Sequence, residues 1–382
     1  MTRFLVKDLV KTNVSCYNKS DNWEYINYLD TGNLTNNVIS EVVKLIPGED
    51  TIPSRAKRKV KQGDILYSTV RPNQCHFGYM KNLLDNMIVS TGYAVLEPLS
   101  DKICGKYLYY YLTQREIVEY LHSIAEGTVS TYPSIQPKDI EKISIDMPDL
   151  DEQKAIASVL STYDDLIEKN NRKIEILQDM AEELYKEWFV RFRFPGYKTA
   201  KFTDGIPDGW EVDRIESLGV FTRGKNITAS EMIDGSIPVI SAGIEPSGFH
   251  NESNVKGVSI TISSSGANAG YMCINYSDIW AADCMYVNNI DNVFYLYELL
   301  NNIRPCIDNL QRGAAQPHVY SKDVNRLKIL LPAEEVRNKF NDLVKDMHLS
   351  IATLMKQNNN LKQQRDLLLP RLMSGKLEVK VS

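Results

Sequence analysis

The chain has 382 residues, 43% of them hydrophobic and 24% charged, with a formal net charge of −5. That length allows two or three domains with ample cores, and that balance excludes a disordered or fibrous chain. The acidic total excludes a uniformly basic nucleic-acid binder. No stretch approaches the apolar length of a membrane span, and charge interrupts Met1-Thr2-Arg3-Phe4-Leu5-Val6-Lys7-Asp8 too early for a secretory signal, so a cytoplasmic chain with no membrane contact is expected.

The first module is assigned to residues 1–148. β-rich runs predict strands at 64–70, 87–96 and 143–147, with a helix at 106–125. Ahead of the first strand, Arg55, Lys57, Arg58, Lys59 and Lys61 place five cations in seven positions. They read equally as a phosphate-facing ribbon or as a charged strand edge that blocks aggregation. Ser68, Arg71, Asn73 and Gln74 follow around the next turn. Arg and Asn or Gln are the side chains that read guanine and adenine edges bidentately. A polar loop at 128–134 adds Thr128, Ser130 and Tyr132 to the candidate nucleic-acid contacts.

A long helix is predicted over 149–195. Ile156, Leu160, Tyr163, Ile167, Asn170, Ile174, Leu177, Ala181, Leu184 and Trp188 recur at alternating steps of four and three, a coiled-coil seam with one polar position. Asp149 and Glu152 fit a capping box, and Pro195-Gly196 ends the segment. At 1.5 Å rise per residue the helix is roughly 50–60 Å long.

The second module, 196–332, begins with a turn-rich linker at 196–210. Strands are predicted at 258–263, 270–274 and 327–331, and a helix at 293–302. Candidate contacts are Arg223 and Lys225, Ser264, Ser265 and Asn268 in a polar turn, and Arg312, Gln316 and His318 in the loop 311–318. The turn reads first as a plain β-turn, because Gly266 and Gly270 lack the Lys-Ser/Thr of a phosphate loop. A second long helix, within 333–382, carries Val336, Phe340, Leu343, Met347, Ile351, Leu354, Asn358, Leu361, Arg365 and Leu368. One step of four replaces a three, between Met347 and Ile351. Each helix has an asparagine in mid-seam. Two packings are open: each helix on its own module, or the pair on each other with facing asparagines fixing register. The matched length and seam favour the second.

The plan is thus stated twice. Lys138-Asp139-Ile140 recurs as Lys322-Asp323-Val324, and Met147-Pro148 as Leu331-Pro332, both offset by 184 residues. A module followed by a long helix, repeated once, predicts a pseudo-twofold molecule that reads two places on one object. Net charge is −1 over 1–150, −3 over 151–195, −4 over 196–332 and +3 over 333–382. Local potential governs attraction to phosphate, so the acidic remainder is expected to face a partner protein.

Little here suggests catalysis. No Asn/Asp-Pro-Pro-aromatic or Pro-Cys methyltransferase loop occurs. Pro148-Asp149 with Glu152 and Lys154 could mimic a nuclease motif, but those acids sit at one helix start, where capping explains them. The cysteines Cys16, Cys75, Cys104, Cys273, Cys284 and Cys306 include no Cys-x-x-Cys pair, so free thiols are expected. Only His76 adjoins a cysteine, which leaves no metal site. No catalytic residue is assigned.

The duplicated plan resembles the specificity subunit of type I restriction–modification systems. So do Ser54-Arg55-Ala56-Lys57-Arg58-Lys59-Val60-Lys61 leading into Gly63-Asp64-Ile65-Leu66-Tyr67-Ser68-Thr69-Val70-Arg71-Pro72, Glu152-Gln153-Lys154-Ala155-Ile156, and Glu187-Trp188-Phe189-Val190 with Phe194-Pro195-Gly196. Ile206-Pro207-Asp208-Gly209-Trp210-Glu211 and Arg365-Asp366-Leu367-Leu368-Leu369-Pro370-Arg371-Leu372 extend the likeness over essentially the whole chain. It departs at Glu334-Glu335-Val336-Arg337, where the Glu-Gln pair of the first helix start is not kept. The resemblance implies an α+β fold: two α/β target recognition domains, 1–148 and 196–332, separated by two long antiparallel coiled-coil helices. It implies that each domain reads one half of a split site in double-stranded DNA. The helices would set the spacer and dock methyltransferase (modification) subunits, two per chain, with motor-nuclease (restriction) subunits completing the assembly. S-adenosylmethionine, ATP and magnesium would belong to those partners, and no cofactor to this chain. The competing readings are a fragment of a self-contained restriction–methylation enzyme and a coiled-coil protein adapter.

Overall fold

The computed structural model describes residues 2–127, 132–313 and 316–379. Contacts divide the chain into two compact units, Met1–Ile167 with Asn359–Ser382, and Glu168–Asn358. Neither unit is a module alone, because each includes part of both long helices.

In the first unit, apart from the short hairpin of Leu34–Thr35 and Val38–Ile39, the strands are β1 (Thr2–Leu5), β2 (Val10–Thr12), β3 (Ile26–Leu29), β4 (Val43–Leu45), β5 (Ala56–Lys59), β6 (Ile65–Ser68), β7 (Phe77–Tyr79), β8 (Met87–Ser90) and β9 (Tyr93–Pro98). Helices α1 (Gly105–Leu112) and α2 (Arg115–Glu126) follow, then β10 (Ser144–Met147), which pairs with β1. Two four-stranded sheets result, ordered β4-β3-β8-β5 and β2-β9-β6-β7. All four residues of β6 are buried. Successive side chains on a strand face opposite ways. Ile65 and Tyr67 therefore enter the core beneath α1 and α2, while Leu66 enters the core with Leu29, Val89 and Tyr93. A strand covered on both faces reads as a continuous apolar run, which is why 64–70 stands out in the sequence.

Two expected elements are each divided. The strand expected at 87–96 is β8 and β9, which lie in different sheets. The chain changes sheet at Thr91-Gly92, where a Cβ on Gly92 would come within 2.5 Å of Thr31 Oγ1. An unbroken apolar run conceals that crossing. The helix expected at 106–125 is α1 and α2, divided at Thr113-Gln114 with no glycine or proline to mark it. Their burial differs: α1 buries Tyr107, Leu108, Tyr109, Tyr110 and Leu112, whereas α2 buries only the stripe Val118, Leu121 and Ala125.

The second unit repeats the pattern. After the short hairpin of Phe202–Thr203 and Ile206–Pro207, its strands are β11 (Glu211–Arg214), β12 (Thr222–Arg223), β13 (Ile237–Ile240), β14 (Gly248–His250), β15 (Ser259–Ser263), β16 (Met272–Asn275), β17 (Trp280–Ala281) and β18 (Cys284–Asn288). Then come the helix Val293–Asn302 and β19 (Lys328–Leu331), which pairs with β11 as β10 does with β1. The sheet β12-β18-β15-β16 matches β2-β9-β6-β7 in order. The other sheet, β14-β13-β17, matches β4-β3-β8, down to one antiparallel and one parallel pairing. It ends there, so the cation-bearing β5 is an addition of the first unit.

The long helices are α3 (Leu150–Tyr185), extended by a π turn at Lys186–Val190, and, numbering Val293–Asn302 as α4, α5 (Glu334–Met373). The Asp149 carboxylate caps α3 by accepting the Asp151 and Glu152 amides at 3.1 and 2.9 Å. Within each unit the two segments run antiparallel. In the first, Ile156, Ala157 and Leu160 share a core with Leu372 and Met373. In the second, Asn170 donates to Asn358 Oδ1 at 2.9 Å, and Asn358 to Asn171 Oδ1 at 2.7 Å. The two seams thus meet at their asparagines. Tyr163, Ile167, Ile174, Leu177, Ile351, Leu354 and Leu361 are buried or half-buried. Leu343 is corrected: it is 47% exposed, and Val344 is fully buried in its stead. There α5 packs on its own module as well as on α3. Asn341 Oδ1 accepts the Phe294 and Tyr295 amides at the start of α4. Burial of Phe340, Asn341, Val344, His348 and Ile351 is a broad α-helical face, wider than a coiled-coil seam.

Candidate nucleic-acid interface

Beyond the end of β6, residues 69–76 form a loop that returns into β7. Ser68 closes it, its amide donating to His76 O at 2.9 Å. The Ser68 hydroxyl donates to Val70 O at 2.8 Å and accepts the Val70 amide at 3.1 Å. A second segment lies alongside. Ile135 N donates to Thr69 O at 2.8 Å, and Arg71 N to Pro133 O at 2.9 Å, flanking a bridge between Val70 and Ser134. The helix Pro137–Glu141 anchors that segment, with Asp139 accepting the Gln136 amide at 2.9 Å in a capping box. Asn73, Gln74 and Tyr132 are exposed on the resulting surface, and the Arg71 guanidinium lies 5.2 Å from the Tyr132 ring centre.

The second unit builds the same device from different side chains. Ser263 N donates to Tyr271 O at 2.8 Å, Val319 N to Ser264 O at 3.0 Å, and Gly266 N to Pro317 O at 3.1 Å, around a bridge between Ser265 and His318. Position for position, 68–76 matches 263–271, and 132–135 matches 316–319. Asn73 corresponds to Asn268, and Tyr132 to Gln316. His318 also exchanges two backbone hydrogen bonds with Arg312, at 2.9 and 2.8 Å. Asp283 joins the group: its carboxylate accepts from the Ser265 hydroxyl and stands 3.8 Å from Arg223. Arg312 pairs with Asp323 at 2.9 Å.

The candidate residues therefore fall into groups. Arg71, Asn73, Gln74 and Tyr132 come together in the first unit, and Arg223, Ser264, Ser265, Asn268, Arg312, Gln316 and His318 in the second. Thr128 and Ser130 lie outside the described residues. Ser68 is 1% exposed and serves the loop rather than its surface. The cationic run divides. Arg58 turns inward, donating to Asn13 Oδ1 and to the Tyr93 carbonyl, and burial holds its pKa below the usual guanidinium range. Lys59 pairs with Asp21 at 2.5 Å and lies over Trp23, and Lys61 pairs with Glu97 at 3.2 Å. Lys61 is exposed in that surface pair, and Arg55 and Lys57 are exposed as well. Arg55 borders the loop, since its carbonyl accepts the Thr91 amide while the neighbouring Gly92 carbonyl accepts from Thr69. Lys225 sits apart over the Trp280 ring, whose indole N–H donates to the Lys225 carbonyl at 2.8 Å.

Sequence reasoning missed the equal length of the two loops. Their offset is 195 residues, whereas the matched words after them are offset by 184, so a search at one period cannot align both. The available signal was the serine that ends each central strand, Ser68 and Ser263.

Comparison with known proteins agrees with this doubled architecture. The family model described as the type I restriction modification DNA specificity domain matches residues 2–178 and 207–363. The chain is 28% identical over 373 residues to the type I restriction enzyme MjaIX specificity subunit of Methanocaldococcus jannaschii, covering 89% of this chain and 84% of that one. It is 24% identical to the HindI specificity subunit of Haemophilus influenzae, over 92% and 94% of the two chains. Among solved structures, the type I restriction-modification S subunit from M. genitalium has the same fold, with a TM-score of 0.56, 17% identity, and coverage of 97% and 95%.

Proposed function

Because the chain belongs to the type I restriction modification DNA specificity domain family, which matches it in two copies, we propose that it is the sequence-reading subunit of such a system. Each unit reads one half of a bipartite site in double-stranded DNA. The observation that carries this is the repeated loop pair: a matched backbone frame presents Arg71, Asn73, Gln74 and Tyr132 in one unit and Ser265, Asn268, Gln316 and His318 in the other. A shared frame with divergent side chains suits two readings of different sequence. Arg55 and Lys57 supply phosphate contacts beside the first frame, where sequence-independent attraction positions the duplex.

The chain reads, and its partners act. Methyltransferase subunits dock on the long helices, two per chain, and bring S-adenosylmethionine; motor-nuclease subunits bring ATP and magnesium. An open groove of about 710 Å³ between α3 and α5 supports docking, with Ile176 and Leu349 exposed along it. Apolar surface on a pair of helices suits a protein partner better than a nucleic acid. Among the described residues, no helix is long and apolar enough to cross a membrane.

Titration of the chain, assembled with its methyltransferase subunits, against duplexes of different sequence and at several salt concentrations tests this function. Affinity should depend on sequence by at least roughly a thousand-fold and fall steeply with salt. Binding indifferent to both would exclude a DNA-reading role.

A further inference from the structure

Two positions in the first loop have left-handed backbone, Arg71 at φ 47° and Cys75 at φ 56°. The second loop fills the matching places with Gly266 at φ 77° and Gly270 at φ 84°. Left-handed backbone is open to glycine and unfavourable for other L residues, arginine included. The frame thus requires these turns in both units, and glycine makes them without strain. Cys75 has a packing reason to be there, since it lies half-buried against the core beneath α1. Arg71 is half-buried as well, but it is not among the residues packed on that core. Among the described residues no carboxylate pairs with it, and its guanidinium lies over Tyr132, which is 60% exposed. Its backbone is fixed on both sides, by the amide bond to Pro133 O and by its carbonyl accepting Gln74 N at 2.9 Å. A guanidinium held over a ring from a rigid stem is restricted in advance, and its planar fork matches guanine O6 and N7.

We propose that Arg71, braced by Tyr132, is the specificity-determining residue of the first unit and reads a guanine in that unit's half-site. The second unit has Gly266 and Gln316 at these two places and so lacks this reader. The inference rests on the DNA-reading function proposed above and deepens it to one residue and one base.

Arg71→Gly is the decisive variant, because glycine suits the backbone that arginine strains. The full chain with its methyltransferase subunits selects from a duplex library randomised over the site, and bound sequences are counted. The wild type should select a guanine that Arg71→Gly no longer prefers, a loss of about ten-fold or more at one position of one half, with the other half intact. Arg71→Lys should lose the same preference while keeping the salt dependence, since a lysine retains charge without the fork. The melting temperature of Arg71→Gly should hold or rise. An unchanged motif would overturn the proposal. So would uniform weakening with a shallower salt slope, which marks a phosphate contact, or a melting temperature lowered by several degrees, which marks a structural arginine. If the wild type selects no motif at all, the DNA-reading function itself fails and this inference with it.

Discussion

Asp64 lies just before β6 and is 4% exposed, its carboxylate accepting the Lys61 amide at 2.7 Å. Burial pushes its pKa up to about 6 from an ordinary 3.8, against the opposing pull of that amide. A folded pKa above the unfolded one means that the fold disfavours the ionised form. The destabilisation is absent below about 3.8, grows as pH rises through about 6, and is complete above it. Asp64→Asn keeps an acceptor for Lys61 and removes the charge. Its melting temperature should exceed that of the wild type at about pH 8, with the difference shrinking toward about pH 4. A difference that is constant across that range would contradict the account. At this scale the sequence marks residue types but not their directions. Arg55, Lys57, Arg58, Lys59 and Lys61 look alike in a row. The antiparallel pairing of β5 with β8, a contact between distant segments, turns Arg58 inward and leaves Lys57 exposed.

Among the elements, the long helices are the most legible in the sequence, because a heptad pattern is local and repeats often enough to be unambiguous. The asparagines at 170 and 358 can be placed opposite each other for that reason. Leu343 cannot, since its exposure follows from α4 widening the buried face of α5. The break at Thr91-Gly92 is hidden because burial on two sides erases the periodicity that marks where one element stops, and the break at Thr113-Gln114 because no glycine or proline stands there. In the first unit one polar network joins helices at their mutual contact. Arg365 of α5 donates to Asp164 of α3 at 2.6 Å, and Tyr110 of α1 donates to the other oxygen of that carboxylate. The pair is half-buried, and removing one partner leaves the other charge largely uncompensated. Arg365→Ala should therefore destabilise by about 2–4 kcal/mol, read by chemical denaturation. A loss below about 0.5 kcal/mol would show the pair to be an ordinary surface contact.

Across the whole molecule, the doubling is legible in short matched words of the sequence. Lys138-Asp139-Ile140 and Lys322-Asp323-Val324 fall on the short helices Pro137–Glu141 and Ser321–Asn325. Each follows a loop-bracing segment, and each carries an aspartate that holds it: Asp139 by capping, Asp323 by pairing with Arg312. The words repeat because the frame repeats. The loop residues differ between the copies, and so self-similarity does not reveal the proposed reading surfaces. Two frames with unlike side chains predict two unlike words of DNA, and mapping methylated adenines across the genome of a host with and without this chain tests that directly. The predicted result is a motif of two specified blocks, different in sequence and separated by unspecified bases, that disappears when the chain is removed. A single contiguous block, or a motif that persists without the chain, would contradict the account.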